Sequence, residues 1–320
     1  MRPLDQPPPQ PKARSKWPLA AGLVALGVAL FALWPSRPGS PQRFTVPRGA
    51  SVREIAASLK REGMIQNRWP FLLWARLTHG PIRPGVYILR AGASARSLLQ
   101  SLRQGPPTIK LTFPEGWTAK QMAARLEAEG VAAAAPFLAQ VAQGHYEGFL
   151  FPDTYLFDQG VSPRLVVDRM VRRFHEKEPK DMAERAKALH LTYAQIVTLA
   201  SLVEKEARVP QERPIIAGVF LNRLKKHWRL ESCASVEYAL GAWKPQLTYK
   251  DLEVVSPYNT YRHAGLPPGP ICNPGAAALE AAAHPAPTDM MFFVAEGGGT
   301  HRFSKYYKEH LAGKRMRKRR

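Results

Sequence analysis

Two segments of this chain align with each other without a gap, 67 positions apart, and each has the pattern of a strand, a turn and a helix. They are FTVPRGASVREIAASLKREG at 44–63 and LTFPEGWTAKQMAARLEAEG at 111–130, and YILRAGASARSLLQSLRQG at 87–105 has the same form. A glycine in each segment permits the turn. The Ser or Thr two residues later is a preferred helix N-cap, and apolar residues at i,i+4 spacing form one helical face. The pattern predicts an α+β fold of short strands and capped helices.

These strand–turn–helix units resemble the LysM type of small carbohydrate-binding module. We therefore predict a LysM-like α+β subdomain at residues 44–109, followed by a larger α+β domain at residues 110–310. A small packing domain without a ligand is the alternative interpretation of residues 44–109.

The N-terminal region contains an uncharged run of 18 residues, 17–34, which is about the minimum length for a transmembrane helix. Trp17 and Trp34 stand where interfacial aromatic residues are common, and the basic, Pro-rich residues 1–16 favour a cytoplasmic N-terminus. We predict a cytoplasmic tail (1–16), a single membrane-spanning helix (17–34), a linker (35–43) and an extracytoplasmic remainder held at the cell membrane. A cleavable signal peptide is the alternative, and it also places the remainder outside the cytoplasm.

The charge of the chain indicates a polyanionic partner. The formal net charge is +21, which suits nucleic acid, anionic lipid or a cell-wall polymer. An extracytoplasmic location argues against nucleic acid and for an envelope component. Part of the charge lies in the basic tail, residues 311–320, which we interpret as a solvated end.

The segment LASLVEKEARVPQER at 199–213 carries two carboxylates near the end of a predicted helix over residues 193–208, capped by Thr192. At 100° per residue, Glu206 and Glu204 lie about 80° to either side of Ile196. This separation does not fit the paired carboxylates of most glycosidases, which lie about 5 to 9 Å apart across the scissile bond. One of them acting alone against an apolar wall would have the raised pKa of a general acid. The alternative is that both only solvate the helix end.

A second unusual segment is SPYNTYRHAGLPPGPICNPG at 256–275. Its prolines and glycines exclude helix and regular strand, so we predict a rigid loop that carries rings and amides suited to sugars. The segment MFFVAEGGGTHRFSK at 291–305 predicts a hairpin whose turn is followed by His301.

The order of these motifs, including ASLVEKE, FLNRL, YNTYRHAGLPPGPICNPG, AAAHP and FFVAEGGGTHRF, resembles the endolytic murein transglycosylase (YceG-like) family. The resemblance covers residues 148–308 closely. It implies a membrane-anchored enzyme that cleaves nascent peptidoglycan strands, with residues 110–310 as its catalytic domain. It also implies penicillin-binding peptidoglycan synthases as partners.

In that family the catalytic acid falls on Glu206. The resemblance implies that Glu206 protonates the oxygen between N-acetylmuramic acid and N-acetylglucosamine. The same carboxylate then accepts the proton of the muramic C6 hydroxyl, which closes a 1,6-anhydro ring. The predicted substrate-binding residues are Glu204, Asn222, Tyr258, Asn259, Tyr261, Asn273 and His301. For each of them, a purely structural role is the alternative, and Asp153 is expected to fix a loop.

One departure from the family pattern affects these predictions. Cys233-Ala234 stands where the family commonly has Asp-Pro, and a disulfide between Cys233 and Cys272 could join the two neighbouring loops. The departure supports a rival hypothesis, a non-catalytic glycan-binding scaffold of the wall-synthesis machinery. No cofactor is predicted, and no Cys/His cluster has the spacing of metal ligands, so no metal is predicted either.

Overall fold

The computed structural model describes residues 39–242, 244 and 246–318. The predicted tail and membrane segment, residues 1–34, lie outside them. Among the residues that are described, no helix combines the length and the apolar character needed to span a bilayer. The fold is α+β, as predicted, and the chain divides into two compact units between Pro107 and Thr108.

The first unit is a two-stranded antiparallel sheet with three helices. The strands pair in the register Phe44 opposite Tyr87, and both of these rings are buried in the core of the unit. The elements are β1 (Pro41–Val46), α1 (Val52–Arg61), α2 (Arg68–Leu77), β2 (Gly85–Arg90) and α3 (Ala95–Gln104).

The predicted N-caps are confirmed. The hydroxyls of Ser51, Ser94 and Thr118 each accept a hydrogen bond from the backbone N–H three residues later. The copy of the pattern at 111–130 nevertheless belongs to the second unit, because its strand β3 (Thr108–Thr112) pairs with β4 (Thr154–Asp158). Sequence similarity between copies therefore does not indicate a shared sheet.

The second unit holds the remaining helices and a hairpin around two apolar clusters. Its helices are α4 (Ala119–Ala128), α5 (Ala134–Gln143), α6 (Pro163–Lys177), α7 (Met182–Ala188), α8 (Tyr193–Glu206), α9 (Arg213–Lys225), α10 (Cys233–Leu240), α11 (Tyr249–Leu252), α12 (Ala276–Ala283) and α13 (Tyr307–Lys318). The predicted hairpin is β5 (Phe292–Gly297) and β6 (Thr300–Ser304).

Helix α8 lies at the centre of this unit. Every residue from Ile196 to Val203 is buried, and the helix packs against α9, α10 and α12. A capping box between Thr192 and Gln195 fixes its start. It ends at Glu206, two residues earlier than predicted, since Ala207 has extended backbone angles. The buried helix thus delivers Glu206 at its last position.

The proline-rich loop is irregular, as predicted, and it packs directly on α8. The N–H of Ile271 donates to Ser201 Oγ at 3.0 Å. Gly148 lies against the same loop with a φ of +89°, and an added Cβ there would meet Cγ of Pro270 at 2.4 Å. Only glycine combines this conformation with so close an approach.

Candidate active site

The Glu206 carboxyl lies at the junction between the end of α8 and the start of α10. Its Oε1 accepts a 2.5 Å hydrogen bond from Ser232 Oγ, and the backbone N–H of Ala234 in the first turn of α10 also donates to it. Free N–H groups and the helix dipole favour a negative charge at this end of a helix. The residue as a whole is half-buried.

Burial is the largest influence on this carboxyl and raises the pKa of Glu206. The Ser232 hydroxyl, the charge of His301 and the Ala234 N–H act in the opposite direction and favour the carboxylate. The net pKa is above the ordinary value. The group therefore holds its proton more readily than an exposed glutamate does, and the neighbouring donors stabilise the anion once the proton is given up.

His301 is held in place by a carboxylate that the sequence analysis missed. Its Nδ1 lies 2.7 Å from Glu212 Oε2, and its backbone N–H donates to Glu212 Oε1 at 2.9 Å. Both side chains are largely buried, with exposed fractions of 10% and 12%. With Nδ1 engaged, Nε2 is the ring nitrogen left for other partners. No motif signals Glu212, because the contact joins a short 3-10 turn to a hairpin 89 positions away.

Tyr261 and Cys233 form the next part of the site. The Tyr261 hydroxyl lies 3.3 Å from Cys233 Sγ. Burial raises the pKa of both groups, and the nearby charge of Glu206 adds to the effect. One cluster is therefore formed by Glu206, Ser232, Cys233, Tyr261 and His301.

Glu204 lies elsewhere, as its helical position predicts. Its Oε2 accepts a hydrogen bond from the N–H of Gly275, the N-cap of α12, at 3.1 Å, and its Oε1 lies 3.9 Å from Arg213. Burial raises the pKa of Glu204. The two glutamates thus face the N-termini of two different helices, and Glu204 stabilises a helix start.

The three asparagines predicted to contact sugar use their side chains within the protein. The Asn222 amide donates to the carbonyls of Thr288 and Met290 at 2.8 and 3.0 Å. The Asn259 amide donates to the carbonyls of Leu252 and Val254. Both bonding patterns fix loops. Tyr258 is half-buried and packs on Tyr238 with ring centroids 4.8 Å apart.

Asn273 is fully buried. Its Oδ1 accepts hydrogen bonds from the N–H groups of Gly148 and Leu150, at 2.8 and 2.9 Å. Its Nδ2 donates to the Trp117 carbonyl at 3.0 Å and to Glu147 Oε1 at 2.9 Å. Burial raises the pKa of Glu147 to about 7. Asn273 therefore joins three loops. This is the structural role that the sequence analysis gave as the alternative to a sugar contact.

The disulfide considered from the sequence is not formed. Cys233 is exposed and Cys272 is buried, and both are free. Cys272 Sγ instead contacts the Ser201 carbonyl at 3.4 Å. Asp153 fixes its loop as expected, through a 2.7 Å ion pair with Arg173. Within the described part of the chain, no group of three or more His, Cys, Asp or Glu side chains could hold a metal ion.

Comparison with known proteins agrees with this architecture. The model of the YceG-like family matches residues 44–316, and the chain belongs to that family. The endolytic murein transglycosylase of Bacillus subtilis (strain 168) is 32% identical over 301 residues, which are 84% of this chain and 82% of that protein. A second endolytic murein transglycosylase, from Streptococcus pneumoniae strain D39, is 29% identical over 87% of this chain, which spans 58% of that longer protein. The crystal structure of a YceG-like protein from Listeria monocytogenes superposes with a TM-score of 0.58 at 31% identity, over 86% of this chain and 99% of that one.

Proposed function

We propose that this chain is an endolytic lytic transglycosylase of peptidoglycan, with Glu206 as its acid and then its base. Membership of the family and the names of the relatives support the reaction class. The observation that carries the mechanism is the environment of Glu206: a half-buried residue whose carboxyl has a raised pKa, flanked by donors that stabilise its anion.

The proposed reaction needs one carboxyl group. Protonated Glu206 donates its proton to the oxygen between N-acetylmuramic acid and N-acetylglucosamine, and the bond from that oxygen to the muramic C1 breaks. The Ser232 hydroxyl and the N-terminus of α10 stabilise the resulting carboxylate. The carboxylate then accepts the proton of the muramic C6 hydroxyl as that oxygen bonds to C1. The product is a 1,6-anhydro ring, water is not consumed, and Glu206 regains its proton.

The supporting roles follow from the contacts of the cluster. Glu212 orients His301, whose charge favours the anion of Glu206. Tyr261 and His301 are the predicted substrate residues that lie beside the acid, so we assign them the sugar contacts there. Asn222, Asn259, Asn273 and Glu204 shape the loops and the helix start that enclose the substrate.

The position of a second carboxyl group, that of Glu237, favours a second candidate function, that of a hydrolase. Glu237 lies on α10, and burial and the charge of Glu206 both raise its pKa. A second carboxyl near the acid could activate water, which would leave reducing ends in place of anhydro ends.

The test compares the products that the purified full chain and its Glu206→Gln and Glu237→Gln variants form from peptidoglycan strands, by mass spectrometry. We expect internal cleavage with 1,6-anhydro ends from the wild type and from Glu237→Gln, and no cleavage by Glu206→Gln. Reducing ends that disappear in Glu237→Gln would assign the hydrolase instead. Strand binding without cleavage by any form would favour the glycan-binding scaffold.

We also propose that residues 17–34 anchor the chain in the cell membrane, with the catalytic unit on the extracytoplasmic side and penicillin-binding synthases as neighbours. The uncharged run and its basic flank support this topology. Membrane-impermeant thiol labelling of Cys233, which is exposed, tests it in intact spheroplasts. Labelling only after lysis would place the unit in the cytoplasm and refute the proposal.

A further inference from the structure

Helix α2 carries an apolar stripe on its solvent side. Trp69, Leu73 and Leu77 have exposed fractions of 64%, 53% and 63%. Their i, i+4, i+8 spacing places them within about 80° around the helix axis, so they form one continuous surface. Soluble proteins rarely expose a contiguous set of large apolar side chains without a partner for it.

The stripe is not needed for folding of the first unit. The opposite side of α2 buries Phe71 completely in the core. The helix start is fixed by Asn67, whose Oδ1 accepts from the Trp69 N–H at 3.0 Å. Changes to the exposed stripe should therefore leave the unit folded.

Positive charge lies along one edge of the stripe. Arg68 and Arg76 belong to the same helix, and Arg53 from α1 lines the adjoining open groove of about 1020 Å³. From residue 39 to residue 107 the sequence has 11 Arg and Lys residues against 2 Glu, a net charge of +9. Helix α2 itself contains no acidic residue.

From this arrangement we propose that the exposed face of α2 docks in the interface of a lipid leaflet that carries anionic head groups. The tryptophan and the two leucines enter the boundary between head groups and acyl chains, and the arginines contact the lipid phosphates. This combination of an apolar stripe and a cationic edge is typical of helices that lie in the membrane plane. The proposal concerns α2 alone and does not depend on the catalytic mechanism.

Charge and side-chain chemistry favour lipid over glycan here. Sugars bind to aromatic faces combined with hydrogen-bonding groups, whereas two of the three stripe residues are leucines.

The short segment between the uncharged run and the first unit also favours a lipid surface. The uncharged run ends at Trp34, and the seven peptide units from there to Pro41 span at most about 25 Å. If that run is a membrane anchor, the first unit starts close to the lipid surface.

The test places an environment-sensitive fluorophore on α2 in the full chain. Leu73→Cys is labelled in a Cys233→Ser background, since the other thiol, Cys272, is buried. The matched control is Ile88→Cys, which is 48% exposed and lies on the sheet face opposite the core and the helices. Each chain is reconstituted into phosphatidylglycerol or phosphatidylcholine vesicles, some with lipids carrying a nitroxide near the head group.

We expect the label at position 73 to shift to the blue and to be quenched at least twofold by the nitroxide in phosphatidylglycerol vesicles. The label at position 88 should remain water-exposed. The double change Arg68→Glu with Arg76→Glu should remove the effect while circular dichroism stays unchanged. Equal behaviour of the two labels would overturn the proposal. A shift of the position-73 label on addition of glycan strands, without a shift in phosphatidylglycerol vesicles, would overturn it in favour of a glycan site.

Discussion

Substitution of Asn273 by alanine distinguishes most sharply between the sequence interpretation and the structure. The sequence predicts a sugar contact, whose loss would weaken substrate binding and leave stability unchanged. The structure places the side chain in the interior with four hydrogen bonds to nitrogen and oxygen partners. Asn273→Ala should therefore act first on stability.

The magnitude follows from the groups that lose a partner. The Leu150 N–H donates to Asn273 Oδ1, and the substitution leaves this buried donor unpaired, at a cost of about 1–3 kcal/mol. The Gly148 N–H and the Trp117 carbonyl each lose one of two partners, and the Glu147 carboxyl keeps the N–H groups of Ala119 and Gly148. Together with the small cavity, we expect the free energy of unfolding of the second unit to fall by about 3–5 kcal/mol.

Hydrogen exchange with mass spectrometry can measure this fall, because peptides from residues 108–318 report on the second unit separately from the first. The control is Tyr261→Phe, which removes the hydroxyl of a half-buried residue near Glu206. We expect it to change KM with little effect on exchange. An Asn273→Ala variant with wild-type exchange and a raised KM would refute our reasoning and restore the sugar contact.

Three further predictions follow from the site and its surroundings. Because burial raises the pKa of Glu147 to about 7, its stabilising contribution is complete below pH 4.5 and is lost as the pH rises through 7. Glu147→Gln should remove about 2–3 kcal/mol of this pH dependence in urea unfolding between pH 5 and 8, and an unchanged slope would contradict it. Glu212→Gln should lower kcat about tenfold with little change in KM, because it weakens the charge-assisted hold on His301. Glu212→Asp keeps the carboxylate and should partly restore kcat, and a wild-type kcat in Glu212→Gln would contradict this role. Finally, a thiol reagent without reductant should titrate one cysteine in the native chain and two after denaturation, whereas no reactive thiol in either state would indicate a disulfide between Cys233 and Cys272.

Local features of the site could be predicted from the sequence because they depend on neighbouring residues. The N-caps at Ser51, Ser94 and Thr118 follow from hydroxyl chemistry within three residues. The separation of Glu204 from Glu206 follows from the helical period alone. The two strands of the hairpin, and the glycine turn between them, follow from the composition of the segment.

Contacts between distant segments could not be predicted in this way. The pairing of Glu212 with His301, and of Glu206 with Ser232, joins residues 89 and 26 positions apart. The bonding partners of the three asparagines could not be predicted from the sequence either. An amide in a loop can bind a sugar or a backbone carbonyl with equal chemistry, and only burial decides which partner it meets.

The sequence by itself determined the local elements of this protein, its charge and the order of its motifs, because each depends on composition and short-range periodicity. Only the tertiary structure decided which loops meet. Folding brings the end of α8 to the start of α10, and there a glutamate that could have been a solvated helix end becomes a half-buried acid with a raised pKa. The physical reason is desolvation, which depends on all the segments that surround the carboxyl and not on its own neighbours in the chain.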